Sequence, residues 1–231
     1  MNEPTPSGDL KALYGEQYVE NFAQNQSLQR IGTLLKFVRL HPQDHVADFG
    51  CGNGMLMPLL APLVASYTGV DFSESFIAAA NQRKQKGSWN NVQFHCSSIQ
   101  TFCEENKGIY DTAFTLDFSE HVYDNDWLEI LRHIRQSLKP GGKLYLHTPN
   151  ADFLIERMKQ HHFILKQFPE HVAVRNAAQN IALLKAAGFT VSNVRLLPHY
   201  VTLLKPLHVF SFLPLLGKYF KARIFIEAIN L

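Results

Sequence analysis

The chain has 231 residues, 46% of them hydrophobic, and 22 Lys and Arg against 20 Asp and Glu give a formal charge of +2. A balance so near neutral gives no electrostatic reason to expect nucleic acid as a partner. No uninterrupted run of about 18 apolar residues reads as a membrane span, and the polar start MNEPTPSGDL lacks the apolar core of a secretory signal.

The elements follow in chain order. Residues 1–9 read as disordered. From Leu10 to Leu40 the pattern is helical, with Leu28, Ile31, Leu34, Leu35 and Val38 on one stripe. HVADFG is a short buried strand ending in a glycine turn, MLMPLLAPLVA a helix, and SYTGVDF a second strand. SESFIAAANQRKQKG, with a Ser start, an apolar stripe and a Gly stop, is a second helix. VQFHCS and YDTAFTLD are strands three and four, WLEILRHIRQSLKPGG is an amphipathic helix closed by Pro-Gly-Gly, and KLYLHTP is strand five. AAQNIALLKAAGF is a helix, followed by the strands TVSNVRLL and ARIFIEAINL. Strands alternating with helices point to an α/β, Rossmann-like, doubly wound sheet of seven strands. It should be mostly parallel, with helices on both faces and an antiparallel last strand. We read a single domain over residues 1–231. It comprises a helical cap (1–40), a core (41–150) and an acceptor side (151–231) that carries an insert at 200–220. Cys51, Cys96 and Cys103 form no C-x-x-C pair and read as free, packed thiols in a reducing, cytoplasmic setting.

The first chemical motif is DFGCGNG, between strand one and the next helix. Gly50, Gly52 and Gly54 permit a tight turn and close approach of a ligand to the backbone. Asp71 ends strand two, about 20 residues further on, where an acid can accept hydrogen bonds from a ribose diol. VADFGCGNG, GVDFS and LKPGGKLYL together resemble the class I S-adenosylmethionine-dependent methyltransferases, from about Val46 onward. The resemblance implies that the glycine loop passes under the amino acid part of S-adenosylmethionine, with Asp48, Gly50 and Gly52 in contact. It also implies that Asp71 binds the ribose and that Phe72 packs on the adenine. Where the family often has an Asp after strand three this chain has HCSSIQTF, so Ser97, Ser98 or the Ile99 backbone takes that place. Leu116, at the end of strand four, completes the cofactor set.

The second motif, LDFSEHVYD, follows strand four and gathers Asp117, Glu120 and His121 within one helical turn, at offsets that share a helix face. His171, in FPEHVAVRN, lies in a loop after strand five, on the same rim. Two carboxylates and two imidazoles suit a divalent ion. The arrangement resembles two branches of the family: the ubiquinone-biosynthesis O-methyltransferases and the small-RNA 2′-O-methyltransferases. Both carry acid-x-x-Glu-His after strand four and a further His after strand five, associated with a divalent metal near the acceptor oxygen. This chain has Asp117 where the usual first acid is Glu. Three roles stay open: a metal site, His121 as a general base oriented by the acids, and a structural cap formed by Glu120. His161 and His162 read as surface residues, and His147 as a hydrogen-bonded core residue.

The stretch YVTLLKPLHVFSFLPLLGKYF (residues 200–220) is rich in Leu and Phe, broken by prolines and free of acids. In similar methyltransferases this region builds the acceptor pocket or a lid. An apolar, aromatic insert favours an apolar or aromatic acceptor. Lys205, Lys218, Lys221 and Arg223 form a basic rim that could make peripheral contact with a membrane through 200–223. Tyr14, Tyr18 and Phe22 have helical spacing and either close over the cofactor or pack in the core. The expected activity is O-methylation of a small hydroxylated, apolar or aromatic molecule. Its alternatives are an RNA 2′-O-methyltransferase, a small-molecule N-methyltransferase and a non-catalytic cofactor-binding scaffold. The lack of a basic patch speaks against RNA.

Overall fold

The computed structural model describes residues 28–87, 89–160 and 171–231. Residues 1–9, read above as disordered, the expected aromatic stripe at Tyr14, Tyr18 and Phe22, and His161 and His162 lie outside the described residues. The chain forms two compact units, the first ending at Glu105 and the second beginning at Asn106.

The first unit holds helix α1 (Leu28–Leu34), strand β1 (His45–Phe49), helix α2 (Met57–Leu60), strand β2 (Ser66–Asp71), helix α3 (Glu74–Gly87), strand β3 (Val92–Cys96) and helix α4 (Ile99–Glu105). The strands run parallel in the order β3-β2-β1. β1 and β2 are buried along almost their whole length, which is why their sequences are continuous apolar runs rather than alternating ones. The helix expected over MLMPLLAPLVA is cut short. Only Met57–Leu60 is α-helical, and Ala61–Leu63 tightens into a 3-10 turn. Pro58 sits harmlessly in the first turn, but Pro62 has no N–H to continue the ladder. α3 matches its sequence signals: Ser73 Oγ accepts from Phe76 N, and Lys84 and Lys86 lie in the last turn.

The second unit holds β4 (Tyr110–Leu116), helix α5 (Asp124–Ser137), β5 (Leu138–Pro149), helix α6 (Leu154–Gln160), helix α7 (Ala177–Ala186), β6 (Thr190–Leu197) and β7 (Arg223–Ile229). Its strand order is β4-β5-β7-β6, with β4 parallel to β5 and β7 antiparallel to both of its neighbours. The whole is a seven-stranded mixed sheet, mostly parallel, with helices flanking it and an antiparallel last strand. α5 buries Trp127, Ile130, Leu131 and Ile134, spaced as one helical face. An Asn176–Gln179 capping box starts α7. The insert is not a helix pair. It consists of 3-10 stretches at Thr202–Phe212 and Gly217–Phe220, as Pro206 and Pro214 require. Among the described residues, no helix is long and apolar enough to cross a membrane.

Candidate active site

In the first unit, β1 delivers Asp48 and Phe49, both buried, to a turn in which Gly50, Gly52 and Gly54 have φ of 73°, 51° and 72°. These are left-handed conformations that glycine adopts without steric cost. The backbone N–H groups of Gly50 and Cys51 both donate to the Val70 carbonyl, at 2.9 and 3.1 Å, folding the turn across the end of β2. Asp71 completes the clasp. Its Oδ2 accepts from Gly52 N at 2.9 Å and its Oδ1 from Ser73 N at 3.0 Å. Burial raises the Asp71 carboxyl above its ordinary range, opposed by hydrogen bonds from the Ser73, Gly52 and Phe72 N–H groups. Phe72 is 36% exposed beside this buried acid.

The Tyr67 hydroxyl donates to Asp48 Oδ2 at 2.5 Å. Burial pushes the Asp48 carboxyl up from 3.8 to about 7; the Tyr67 hydrogen bond opposes the rise and the Asp71 charge adds to it. A raised folded value means that Asp48 favours the fold below its unfolded value of 3.8 and that this contribution is lost as pH rises through about 7. Asp48→Asn is therefore expected to flatten the stability change between those two values. Urea unfolding across that pH range checks it.

The remaining cofactor candidates are more varied. Ser97 N donates to the Asp71 carbonyl at 3.0 Å, tying β3 to β2. Ser98 Oγ accepts from Thr101 N at 3.1 Å, so this hydroxyl caps α4. Ile99 is buried, and Leu116 is half-buried at the end of β4.

In the second unit, the expected α-helical face carrying Asp117, Glu120 and His121 is corrected. β4 is followed by Asp117 with φ 53°, a left-handed residue, and Ser119–His121 form a 3-10 turn. Asp117 is held by partners distant in sequence. Its N–H donates to the His147 carbonyl at 2.8 Å, its Oδ1 lies 2.9 Å from His147 Nδ1, and it accepts from Arg223 Nη2. His147 is buried, as its reading as a core residue expects.

Glu120, His121 and His171 come together instead, with one ligand-type atom from each lying within 4.8 Å of the others. The two imidazole rings are 5.1 Å apart at 81°. Glu120 is 2% exposed, and its Oε2 accepts from Thr148 Oγ1 at 3.0 Å. Burial, then the neighbouring His121, Lys159 and Arg223, pulls His171 from 6.5 down to about 3. It is therefore neutral at pH 7, the state in which an imidazole can ligate a metal.

A strap fixes His171 in this place. Ala173 N donates to the Glu120 carbonyl at 3.0 Å. Arg175, 3% exposed, donates from Nε to Asp124 Oδ1 (2.8 Å), from Nη1 to the Ser119 carbonyl (2.7 Å) and from Nη2 to the Val122 carbonyl (2.6 Å). One guanidinium thus joins the His171 segment to the turn bearing Glu120 and His121. Arg175→Met is expected to cost about 3 kcal/mol, since each bond to a charged group is worth about 1.5–3 kcal/mol and the Asp124 bond is discounted for exposure. Chemical denaturation measures the loss. Arg223, expected on a basic rim with Lys205, Lys218 and Lys221, is instead buried and donates to Asp117; Arg175 and Tyr67 carry no local sequence signal and are recognisable only from their partners in space.

A family model described as a methyltransferase domain matches residues 21–194. A ubiquinone biosynthesis O-methyltransferase of Coxiella burnetii is 34% identical over 109 residues, covering 47% of this chain and 45% of the relative. The matched region thus spans less than half the length of such relatives. The structure resembles an S-adenosylmethionine-dependent methyltransferase of Methanosarcina mazei, with a TM-score of 0.65 and 19% identity over 83% of this chain and 94% of that one. It also resembles a geranyl diphosphate C-methyltransferase of Streptomyces coelicolor solved with Mg²⁺ and S-adenosyl-L-homocysteine, with a TM-score of 0.63 and 16% identity over 94% and 84%. At these identities the structural likeness concerns the fold. With three quarters of its length matched by the family model, a parallel core and a clasped glycine turn, the chain belongs to the methyltransferase domain family, as an enzyme with the Rossmann-like fold of the S-adenosylmethionine-dependent methyltransferases.

Proposed function

We propose that the chain transfers a methyl group from S-adenosylmethionine to a hydroxyl oxygen of a small apolar or aromatic acceptor, and that Glu120, His121 and His171 hold a divalent ion beside that oxygen. The observation that carries this reading is the convergence of one carboxylate and two imidazoles within 4.8 Å. The donor set fits a divalent ion: oxygen and nitrogen donors suit a borderline cation, and His171 is neutral at working pH. The glycine turn, the two buried carboxylates and the half-open Phe72 likewise fit the amino acid, ribose and adenine parts of the cofactor.

The bound cofactor supplies an electrophilic methyl on a sulfonium that leaves as a neutral thioether, and a bound ion supplies acidity to a coordinated hydroxyl. The chain's own residues do the rest. Asp71 holds the glycine turn in the conformation that receives the cofactor. Thr148 orients Glu120 through its hydroxyl. The Arg175 strap keeps His171 opposite His121. Alignment of oxygen, methyl carbon and sulfur is the main requirement of such a displacement. The new oxygen–carbon bond forms as the carbon–sulfur bond breaks, sulfur keeps the electron pair, and the hydroxyl proton leaves to solvent.

Support for an oxygen acceptor comes from the relatives named ubiquinone biosynthesis O-methyltransferase. Support for an apolar one comes from the Leu- and Phe-rich insert. Release of S-adenosylhomocysteine, measured against matched catechol, aromatic amine and RNA 2′-hydroxyl acceptors, tests the reading. Turnover confined to the catechols is expected. Turnover with the amine alone, or with RNA alone, overturns it.

A further inference from the structure

The insert exposes side chains that a folded protein normally buries. Leu203 is 84% exposed, Val209 70%, Phe212 85% and Leu215 93%, with Leu216, Phe210 and Leu213 also exposed. Singly exposed apolar residues are ordinary, but a contiguous set of this kind marks an interaction surface. Leu215 adds a second sign. It is a non-glycine residue at φ 64°, a conformation that costs free energy. The turn bearing it thus pushes a Leu side chain outward rather than hiding it. Gly217 allows this turn to close, because a Cβ there would lie 2.2 Å from the Ser211 carbonyl oxygen.

The charge along this part of the sequence is one-sided. From His171 to Ile226 the sequence has seven Lys and Arg and no Asp or Glu, which leaves the rest of the chain with 15 basic against 20 acidic residues. Two of the seven, Arg175 and Arg223, are buried. Lys205 and Lys218 are exposed within the insert, and Lys221 is half-buried at its end.

We propose that residues 203–221 dock onto the surface of an anionic lipid bilayer. Leu203, Val209, Phe212, Leu215 and Leu216 would enter the headgroup–acyl boundary, and Lys205, Lys218 and Lys221 would meet the negative headgroups. Apolar residues interleaved with lysines, without one acid, are the composition such a boundary selects. A second copy of the chain fits less well. Two-fold pairing through the same patch would bring Lys205 and Lys218 of each copy together with no acid within the insert to offset them. The proposal stands apart from the metal reading, so either can fail alone.

Flotation of the full-length protein with vesicles tests it. Vesicles of phosphatidylcholine plus phosphatidylglycerol should capture the protein, phosphatidylcholine alone should capture much less, and high salt should release it. Lys205→Gln, Lys218→Gln and Lys221→Gln combined should weaken the anionic partition on the order of 10²-fold, from about 1 kcal/mol per cation near the surface. Phe212→Ser with Leu215→Ser should weaken it by a comparable factor, since each fully buried side chain contributes about 1.5–3 kcal/mol. All five positions are solvent-facing or half-buried, and unchanged thermal midpoints would show that the variants fold. Three outcomes overturn the proposal: no capture of the unmodified protein, equal capture of all variants, or a dimer in sedimentation velocity that Phe212→Ser with Leu215→Ser dissociates.

Discussion

Glu120→Gln, His121→Ala and His171→Ala should each lower turnover by about 10³-fold, roughly 4 kcal/mol of transition-state stabilisation, and by similar factors. The similarity matters more than the size. If three side chains share one ion, each substitution removes one ligand of the same centre, and the pairwise combinations should be far from additive. A lone His121 base would give a different pattern: a loss of about 10²–10⁴ for His121→Ala and a mild effect for His171→Ala. Steady-state rates for the three single and three double variants separate the two. Affinity for S-adenosylhomocysteine, measured in parallel, should hold, because the glycine turn and Asp71 belong to a separate set of contacts.

Asp71→Ala should produce the second large effect, on cofactor binding and stability together. The carboxylate satisfies the N–H groups of Gly52 and Ser73. Removing it leaves two donors without their acceptor, at about 1–3 kcal/mol each, and loosens the turn proposed to receive the cofactor. The expected result is at least about a 10²-fold loss of S-adenosylhomocysteine affinity by calorimetric titration, with a lower thermal midpoint. Asp71→Asn keeps one acceptor oxygen and should be milder on both counts. Undiminished affinity in Asp71→Ala would remove this residue from the site.

These two expectations rest on features that differ in how well the sequence exposes them. The glycine turn and Asp71 are legible because their conformation is set locally. Glycines that must adopt positive φ, and an acid at a strand end, are recorded in residue type and spacing. α3 is legible for the same reason, through its Ser start and Gly stop. The turn after β4 is not. Asp, Glu and His at offsets of three and four suggest a helical face, whereas Asp117 adopts φ 53° because His147 and Arg223 hold it there. Those partners lie 30 and 106 residues away along the chain, and no local pattern encodes them. Arg175 is hidden likewise; in sequence it is an ordinary basic residue after a loop, and only its three bonds to Ser119, Val122 and Asp124 give it a role. The prolines of the insert announce that it is no long helix, but not that its Leu and Phe side chains face outward.

Chelation tests the central claim most directly, namely that Glu120, His121 and His171 hold an ion that activates the acceptor. The enzyme is dialysed against a strong chelator, its metal content is measured by elemental analysis, and turnover is followed before and after adding back Mg²⁺, Mn²⁺ or Zn²⁺. The expected result is a metal-free protein that still binds S-adenosylhomocysteine, is inactive, and recovers turnover with one of these ions, whereas the His171→Ala variant does not recover. Full activity in protein shown to contain no metal would contradict the claim.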